Sequence, residues 1–532
     1  IKTTDTLGNA VIRFLATAPT VLVHRQRTLS VRPAAPFLTL VESGKLAGSG
    51  KEVPLTQEFY PQFESRTVIG STSPVLFVNG LHQFLETYPY DCSEQLTSKE
   101  LANLALISVP GSGLTKAQLT AKLQSYFKLI RDRQASSGAI GYWAADDAKE
   151  LDPISVYVLE FITDAKLAGI AVPSDIDKAG VNYLKKVASA TPSDLDQAEV
   201  VAKAIYLLTR REQVMTNELI SLRDTLDREF TDQWKQSITG VYVAASAELL
   251  MKEREANDWI SQYRLTGALS SSGLWSNLTE YAQYLTVLAR HFPQRFRSLG
   301  RDQVEQILKP IWAADYNTLS AAECLRALVA GQNLIDLTKN NLRISQWNGN
   351  WQPLITNALG LVTIGNDVTK VKFDGNQNGA GYFQVIQSGF PKNVKPFARG
   401  LDLRRDFLDA NNEPISSVSL GDKIKVRLRI RSSTGTSVDH VAISDLLPAG
   451  FEPVRDEKGG VALTADSFEH CDVREDRVLI YLTAETNETE ISYEAKATVP
   501  GNLIVPPVAA QAMYDQAVQV EGETGRIEVK QP

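Results

Sequence analysis

Residues 88–100 read "YPYDCSEQLTSKE", and the spacing inside this stretch decides how the rest of the chain is taken. Cys92 stands three residues before Gln95, with Glu94 between them. A helix beginning near Ser93 brings positions i and i+3 onto one face, so the Gln95 side chain comes within reach of the sulfur. The same helix start puts the thiol at the positive end of the helix dipole, which lowers its pKa and favours thiolate. Thiolate attack on the Gln95 amide carbon, with loss of ammonia, closes a β-cysteinyl–γ-glutamyl thioester, an electrophile stored inside the fold. The spacing is moderately specific. A cysteine near a helix start is ordinarily a small buried hydrophobe, and Cys324, in "AAECLRALVA", and Cys471, beside "DVRED", are read that way.

The totals allow such a site without pointing to it. A chain of 532 residues is too long for one core and suggests about three to four domains. Its 43% hydrophobic and 22% charged residues are those of an ordinary folded protein. A net charge of −7 gives no electrostatic case for nucleic acid or an anionic membrane as partner. No stretch approaches the roughly 18 apolar residues of a spanning helix. The opening "IKTTDTLGNAVIRF" has no signal-peptide pattern and starts in the middle of a strand-like one, so a fragment or mature piece is expected. Three widely spaced cysteines imply no disulfide framework, and His24, His82, His291, His440 and His470 are scattered, so neither a metal nor another cofactor is expected.

Outward from the motif, the texture changes twice. Residues 1–55 alternate like strands, as in "NAVIRFLATAPTVLVHRQRTLSVRP". From about Ser73 helical spacing takes over and is expected to continue to about residue 360. Four stretches share a form: "DPISVYVLEFITDAKLAG", "DLDQAEVVAKAIYLLTRR", "LTEYAQYLTVLARHF" and "NTLSAAECLRALVAG". Each follows a polar or Pro/Gly turn and then runs Leu, Val and Ala at helical spacing, a loose repeat of roughly 40 residues, as in helical solenoids and toroids. A non-repetitive helical domain is the alternative. After residue 360 strand patterns return, and the remainder reads as a β-sandwich.

"YPYDCSEQ" resembles the Cys-x-Glu-Gln thioester motif of the α2-macroglobulin and complement superfamily, above all its bacterial members, and the order of segments agrees with that family. The resemblance implies a mixed, multidomain chain. An α/α-toroid thioester domain (71–361) is inserted into a CUB-like β domain (1–70 and 362–395) and followed by a C-terminal macroglobulin-like β-sandwich (396–532). By position, Cys92 and Gln95 form the thioester, Glu94 is the acid of the motif, and Tyr88, Tyr90 and Tyr514 shield the bond from water. Asp91 departs from the family's glycine, which permits an otherwise costly backbone angle; Asp tolerates that angle, but a carboxylate beside the sulfur opposes thiolate formation.

Complement proteins that prefer hydroxyl targets use a histidine about a hundred residues after the cysteine. No histidine lies between Cys92 and His291, which argues for direct attack by amines. The implied function is a broad-spectrum protease trap, a stoichiometric inhibitor and not an enzyme. Its implied partners are host or competitor proteases, met through a bait region outside this chain, and envelope proteins. The implied place is the periplasm, with an inner-membrane anchor on a lipidated N-terminus outside this chain. Two rivals stand beside it. One is a non-covalent trap or envelope scaffold with an unreacted Cys92 and Gln95. The other is a glycan-processing toroid enzyme, with acids such as Asp146, Asp147, Asp152 or Glu280 and sugar platforms at Trp143 and Trp275.

Overall fold

The computed structural model describes residues 6–46, 50–299, 301–332, 342–357, 359–374, 381–457, 459–465 and 467–531. Its centre is a ring of helices. Ser93–Leu106, Pro153–Leu167, Leu195–Arg210, Ile238–Leu249, Asn277–His291 and Thr318–Gly331 each pack against the next, and the last closes on the first. Other helices, among them Val78–Thr87, Lys116–Arg133 and Ser174–Ala188, lie outside them. The four similar stretches of the sequence are four of these inner helices. From Pro153 onward the inner helices start about forty residues apart, at Leu195, Ile238, Asn277 and Thr318. Small residues recur in them because an inner helix is surrounded. Ile238–Leu249, "ITGVYVAASAEL", is buried from Ile238 to Ala247.

All inner helices point the same way. Thr318, at the head of the last, bonds Glu94 in the first turn of the first, whereas Asp164, near the end of its helix, meets Arg210, Arg290 and Arg326 at 2.6, 3.0 and 2.9 Å. Their N-termini therefore gather on one rim and their C-termini on the other. Arginines at the second rim complement the negative helix ends. Arg326 also holds Glu160 and Glu323, and Lys203 holds Glu160, so these buried carboxylates are paired.

Among the described residues the last helix ends at Gly331, and strands stand well before the expected 360. Arg343–Trp347 and Trp351–Pro353 are strands of a hairpin turning at Asn348 and Gly349, and Leu361–Thr363 is a strand as well. The strand Gly381–Gly389, buried throughout, pairs with both Leu38–Leu46 and Ser65–Ser71. Strands before and after the helical block thus share one sheet, and a second sheet (Lys51–Pro54, Lys370–Asp374, Arg343–Trp347, Trp351–Pro353) packs on it through Val53, Val68, Phe373 and Phe383. Residues 8–31 stand apart. They form the hairpin Gly8–Ala18 with Val21–Val31, paired to no other described strand and exposing Phe14, Leu15 and Leu22.

The C-terminal region is a sandwich. One sheet runs Leu401–Leu408, Lys423–Ser432, Thr489–Ala497, Phe451–Pro453; the other runs Phe397–Arg399, Asp515–Glu521, Val508–Ala512, Val438–Leu446, Arg477–Ala484, His470–Val473. Alternation gives the second sheet two apolar faces. Val441, Ile443, Val478, Ile480 and Leu482 face the sandwich core, while Ala442, Leu479 and Tyr481 face away from it. That outer face lies on the N-terminal rim of the helical ring, against Tyr90, Cys92 and Trp143.

Candidate functional site

The site forms where the Val78–Thr87 helix ends at the Tyr88-Pro89-Tyr90 turn and the next begins at Ser93. Cys92 is the N-cap of that second helix. Its sulfur accepts the Gln95 backbone N–H at 3.5 Å, and the Cys92 N–H donates to Gln95 Oε1 at 3.1 Å, a reciprocal capping box. The motif spacing thus has a local cause. Capping the helix folds the Gln95 amide back over the thiol that it is to react with. Addition of the sulfur to the amide carbon would develop negative charge on Oε1, and the Cys92 N–H already points there.

Glu94 turns the other way, into the ring, and is fully buried. It accepts from Ser98, from Thr318 at 2.8 Å and from Tyr514 at 3.0 Å. The lid comes from the C-terminal sandwich. Gln95 Nε2 donates to Met513 Sδ at 3.1 Å, Tyr514 Oη lies 3.7 Å from Cys92 Sγ, and the Tyr514 and Tyr142 hydroxyls are hydrogen-bonded. Tyr142 is fixed by the turn "GYWAADD". Asp147 accepts from the N–H groups of Tyr142, Trp143 and Ala144, and the Ser93 N–H donates to the Tyr142 carbonyl. Gly141 is required at this turn, since a Cβ there would stand 1.7 Å from the Ala144 oxygen.

The sequence-derived residues converge with one difference in electrostatics. Cys92, Glu94, Gln95, Tyr90 and Tyr514 are buried together, and Tyr88 closes one side, donating to the Met513 carbonyl at 3.2 Å and stacking edge-on with Tyr90. The helix end does not win at the thiol. Burial first, and then the Glu94 charge, push Cys92 up to about 12, so it is a thiol at neutral pH. Burial also raises Glu94 to about 7, against the bonds from Ser98, Thr318 and Tyr514 that lower it. Asp91 needs no special backbone, because its φ is not positive. Its carboxylate faces away, 3.5 Å from Arg474 of the sandwich, and its carbonyl accepts from Arg133.

Other residues went unmarked by the motif. Met513, Tyr142, Asp147 and Thr318 complete the site; Met513 adjoins Tyr514 in "AMYD", and Tyr142 precedes the tryptophan of "SSGAIGYW", so adjacency was the available signal. Trp143 is covered by the sandwich, its ring 4.5 Å from His470 and 4.2 Å from Tyr481. Asp152 caps the helix Pro153–Leu167 and Asp147 holds its turn, so both are occupied by backbone N–H groups. His291 lies at the far rim, bonded to Tyr206, and burial drops it to about 3. His440, in the sandwich, does reach the lid, packing on Tyr142 and Tyr514.

A thiol and an amide lie preset on a toroid rim beneath a β-sandwich, and comparison with known proteins shows where this arrangement of domains recurs. Residues 400–516 match the family model of the bacterial alpha-2-macroglobulin MG10 domain. The chain is 30% identical over 98% of its length to an alpha-2-macroglobulin homolog of Yersinia pestis, and 29% identical over its full length to the alpha-2-macroglobulin of Rickettsia conorii. It spans only 28% and 29% of those relatives. In fold it superimposes with a TM-score of 0.79 on native Escherichia coli alpha-2-macroglobulin from MG7 to the C-terminus, at 19% identity, covering 98% of this chain and 87% of that one. Salmonella alpha-2-macroglobulin reacted with methylamine gives a TM-score of 0.79 at 19% identity, over 98% of this chain and 36% of that one. The chain is a homologue of the bacterial alpha-2-macroglobulins, and its fold is that of their C-terminal region.

Proposed function

We propose that this chain carries the covalent step of an alpha-2-macroglobulin-type protease trap, with Cys92 and Gln95 joined as an internal thioester. The observation that carries the reading is the reciprocal capping box sealed beneath Met513 and Tyr514. It supplies both requirements of a stored electrophile, a preset pair of reacting groups and exclusion of water. On this reading a protease cleaves a bait region elsewhere in the whole protein, the sandwich lifts from the rim, and a protease lysine takes the Gln95 acyl group while Cys92 is released as thiol. Each molecule acts once, as an inhibitor and not as an enzyme. Amines are the fitting nucleophiles, since His291 of the ring stands at the opposite rim. The CUB-like identity of the β domain, the envelope partners and a periplasmic, lipid-anchored place belong to the same proposal.

The test uses the full-length protein mixed with an active protease. A complex stable to boiling in detergent, with an isopeptide between Gln95 and a protease lysine, is expected. Enclosure of the protease without that bond would make the trap non-covalent.

A further inference from the structure

Resting on the thioester reading, a second question concerns how the bond closes. A thiol held near 12 offers roughly one thiolate in 10⁵ molecules at pH 7, so attack on the amide calls for a base. No carboxylate or imidazole is hydrogen-bonded to Cys92 Sγ among the described residues. Its hydroxyl neighbours are Tyr142 and Tyr514, which are bonded to each other, and Tyr514 is the one bonded to Glu94 Oε2. Glu94 is buried without an ion-pair partner among the described residues, held only by hydroxyls, an unusual environment for a carboxylate with no chemical task.

We infer that Tyr514 and Glu94 form the proton path for thioester closure, so that the C-terminal sandwich assembles the bond that it also covers. As Sγ adds to the Gln95 amide carbon, the thiol proton passes to the Tyr514 oxygen and the Tyr514 proton to Glu94. The Cys92 N–H holds the resulting charge on Oε1. Collapse breaks the carbon–nitrogen bond, and the same path returns the proton to the departing nitrogen. One sulfur–hydrogen and one carbon–nitrogen bond are lost, one sulfur–carbon and one nitrogen–hydrogen bond are made, and one ammonia leaves. Tyr514 touches the reacting sulfur and is a catalytic residue; Glu94 acts through it. Closure then requires a docked sandwich, which keeps the electrophile from forming while uncovered.

The test is the reverse reaction, ammonolysis of the closed full-length protein, read as thiol release at Cys92 and normalised to free ammonia. Tyr514→Phe keeps the ring and removes the hydroxyl. A mere lid would leave the rate unchanged or raise it, and removing the Glu94 charge would by electrostatics alone ease thiolate formation. The path predicts the opposite: both Tyr514→Phe and Glu94→Gln slow ammonolysis about tenfold or more, or accumulate folded protein with an unreacted Cys92 and Gln95. Variants that close fully and react at the wild-type rate or faster overturn it. The wild type gives a check free of folding defects. The titratable groups around Glu94 are Cys92, Tyr88, Tyr142, Tyr157 and Tyr514, all raised by burial, and His440 packs behind Tyr142 and Tyr514, so the profile is taken in His440→Asn as well as in the wild type and must be the same in both. The normalised rate should rise through pH 7 and level off above pH 8; a rate still climbing in proportion to hydroxide at pH 9 contradicts the path. A wild type without the ammonia deficit would instead remove the thioester reading itself.

Discussion

Cys92 shows why position along a chain does not fix a pKa. A helix N-terminus favours thiolate, but enclosure by Tyr90, Tyr514 and Met513 outweighs it, and the thiol is raised instead of lowered. Glu94 carries the measurable consequence. Its pKa is about 7 folded against 4.5 unfolded, so the protonated form is the one that the fold favours. That contribution is complete below pH 4.5 and is lost as pH rises through 7, a change of about 3 kcal/mol at most. Glu94→Gln, neutral at every pH, should raise the melting temperature more at pH 8 than at pH 5. An equal shift at both would mean that Glu94 is not strained by its burial. The reacting pair was legible from "CSEQ" because one local rule, helix capping, both spaces and folds it. The environment was not, since its lid, Met513 and Tyr514, lies more than 400 positions away.

At the scale of elements, the ring was legible where its helices repeat. Inner helices must be apolar or small on most of their surface, and that requirement writes the common form of the four stretches. What the pattern hid was charge. "AAECLRALVA" reads as core, yet Glu323 and Arg326 lie within it, buried because Glu160, Asp164 and Lys203 are buried opposite. Arg326→Met leaves Glu160 and Glu323 short of their shared cation and should cost about 3–5 kcal/mol, read as a lowered denaturation midpoint. A loss below 1 kcal/mol would show that Lys203 alone suffices. The early end of the helices has a plain cause as well. Arg343–Trp347 is a five-residue strand and Trp351–Pro353 a three-residue one, too short to stand out, and their Asn348-Gly349 turn was the available sign.

At the scale of the molecule, the decisive feature is the outer face of the sandwich on the rim of the ring. Tyr90 meets Tyr481, Trp143 packs on both His470 and Tyr481, and Asp91 faces Arg474. The half-exposed Asp91–Arg474 pair adds little, whereas the aromatic contacts hold the lid. Trp143→Ala should therefore loosen the cover and speed methylamine consumption, measured as thiol release, by about tenfold if roughly 1.4 kcal/mol of docking is lost. An unchanged rate would place the barrier at Met513 and Tyr514 alone. Sequence resemblance pointed to Tyr514 in this lid, but Tyr481, His470 and Met513 follow from how the two domains meet, which no local pattern encodes.

The most direct measurement is the intact mass of the full-length protein, denatured without reductant, before and after methylamine. The account predicts a mass one ammonia below that of the sequence, restored and increased by one methylamine at Gln95, with a new thiol at Cys92. A mass equal to that of the sequence, with Cys92 free from the outset and no methylamine taken up, would contradict it.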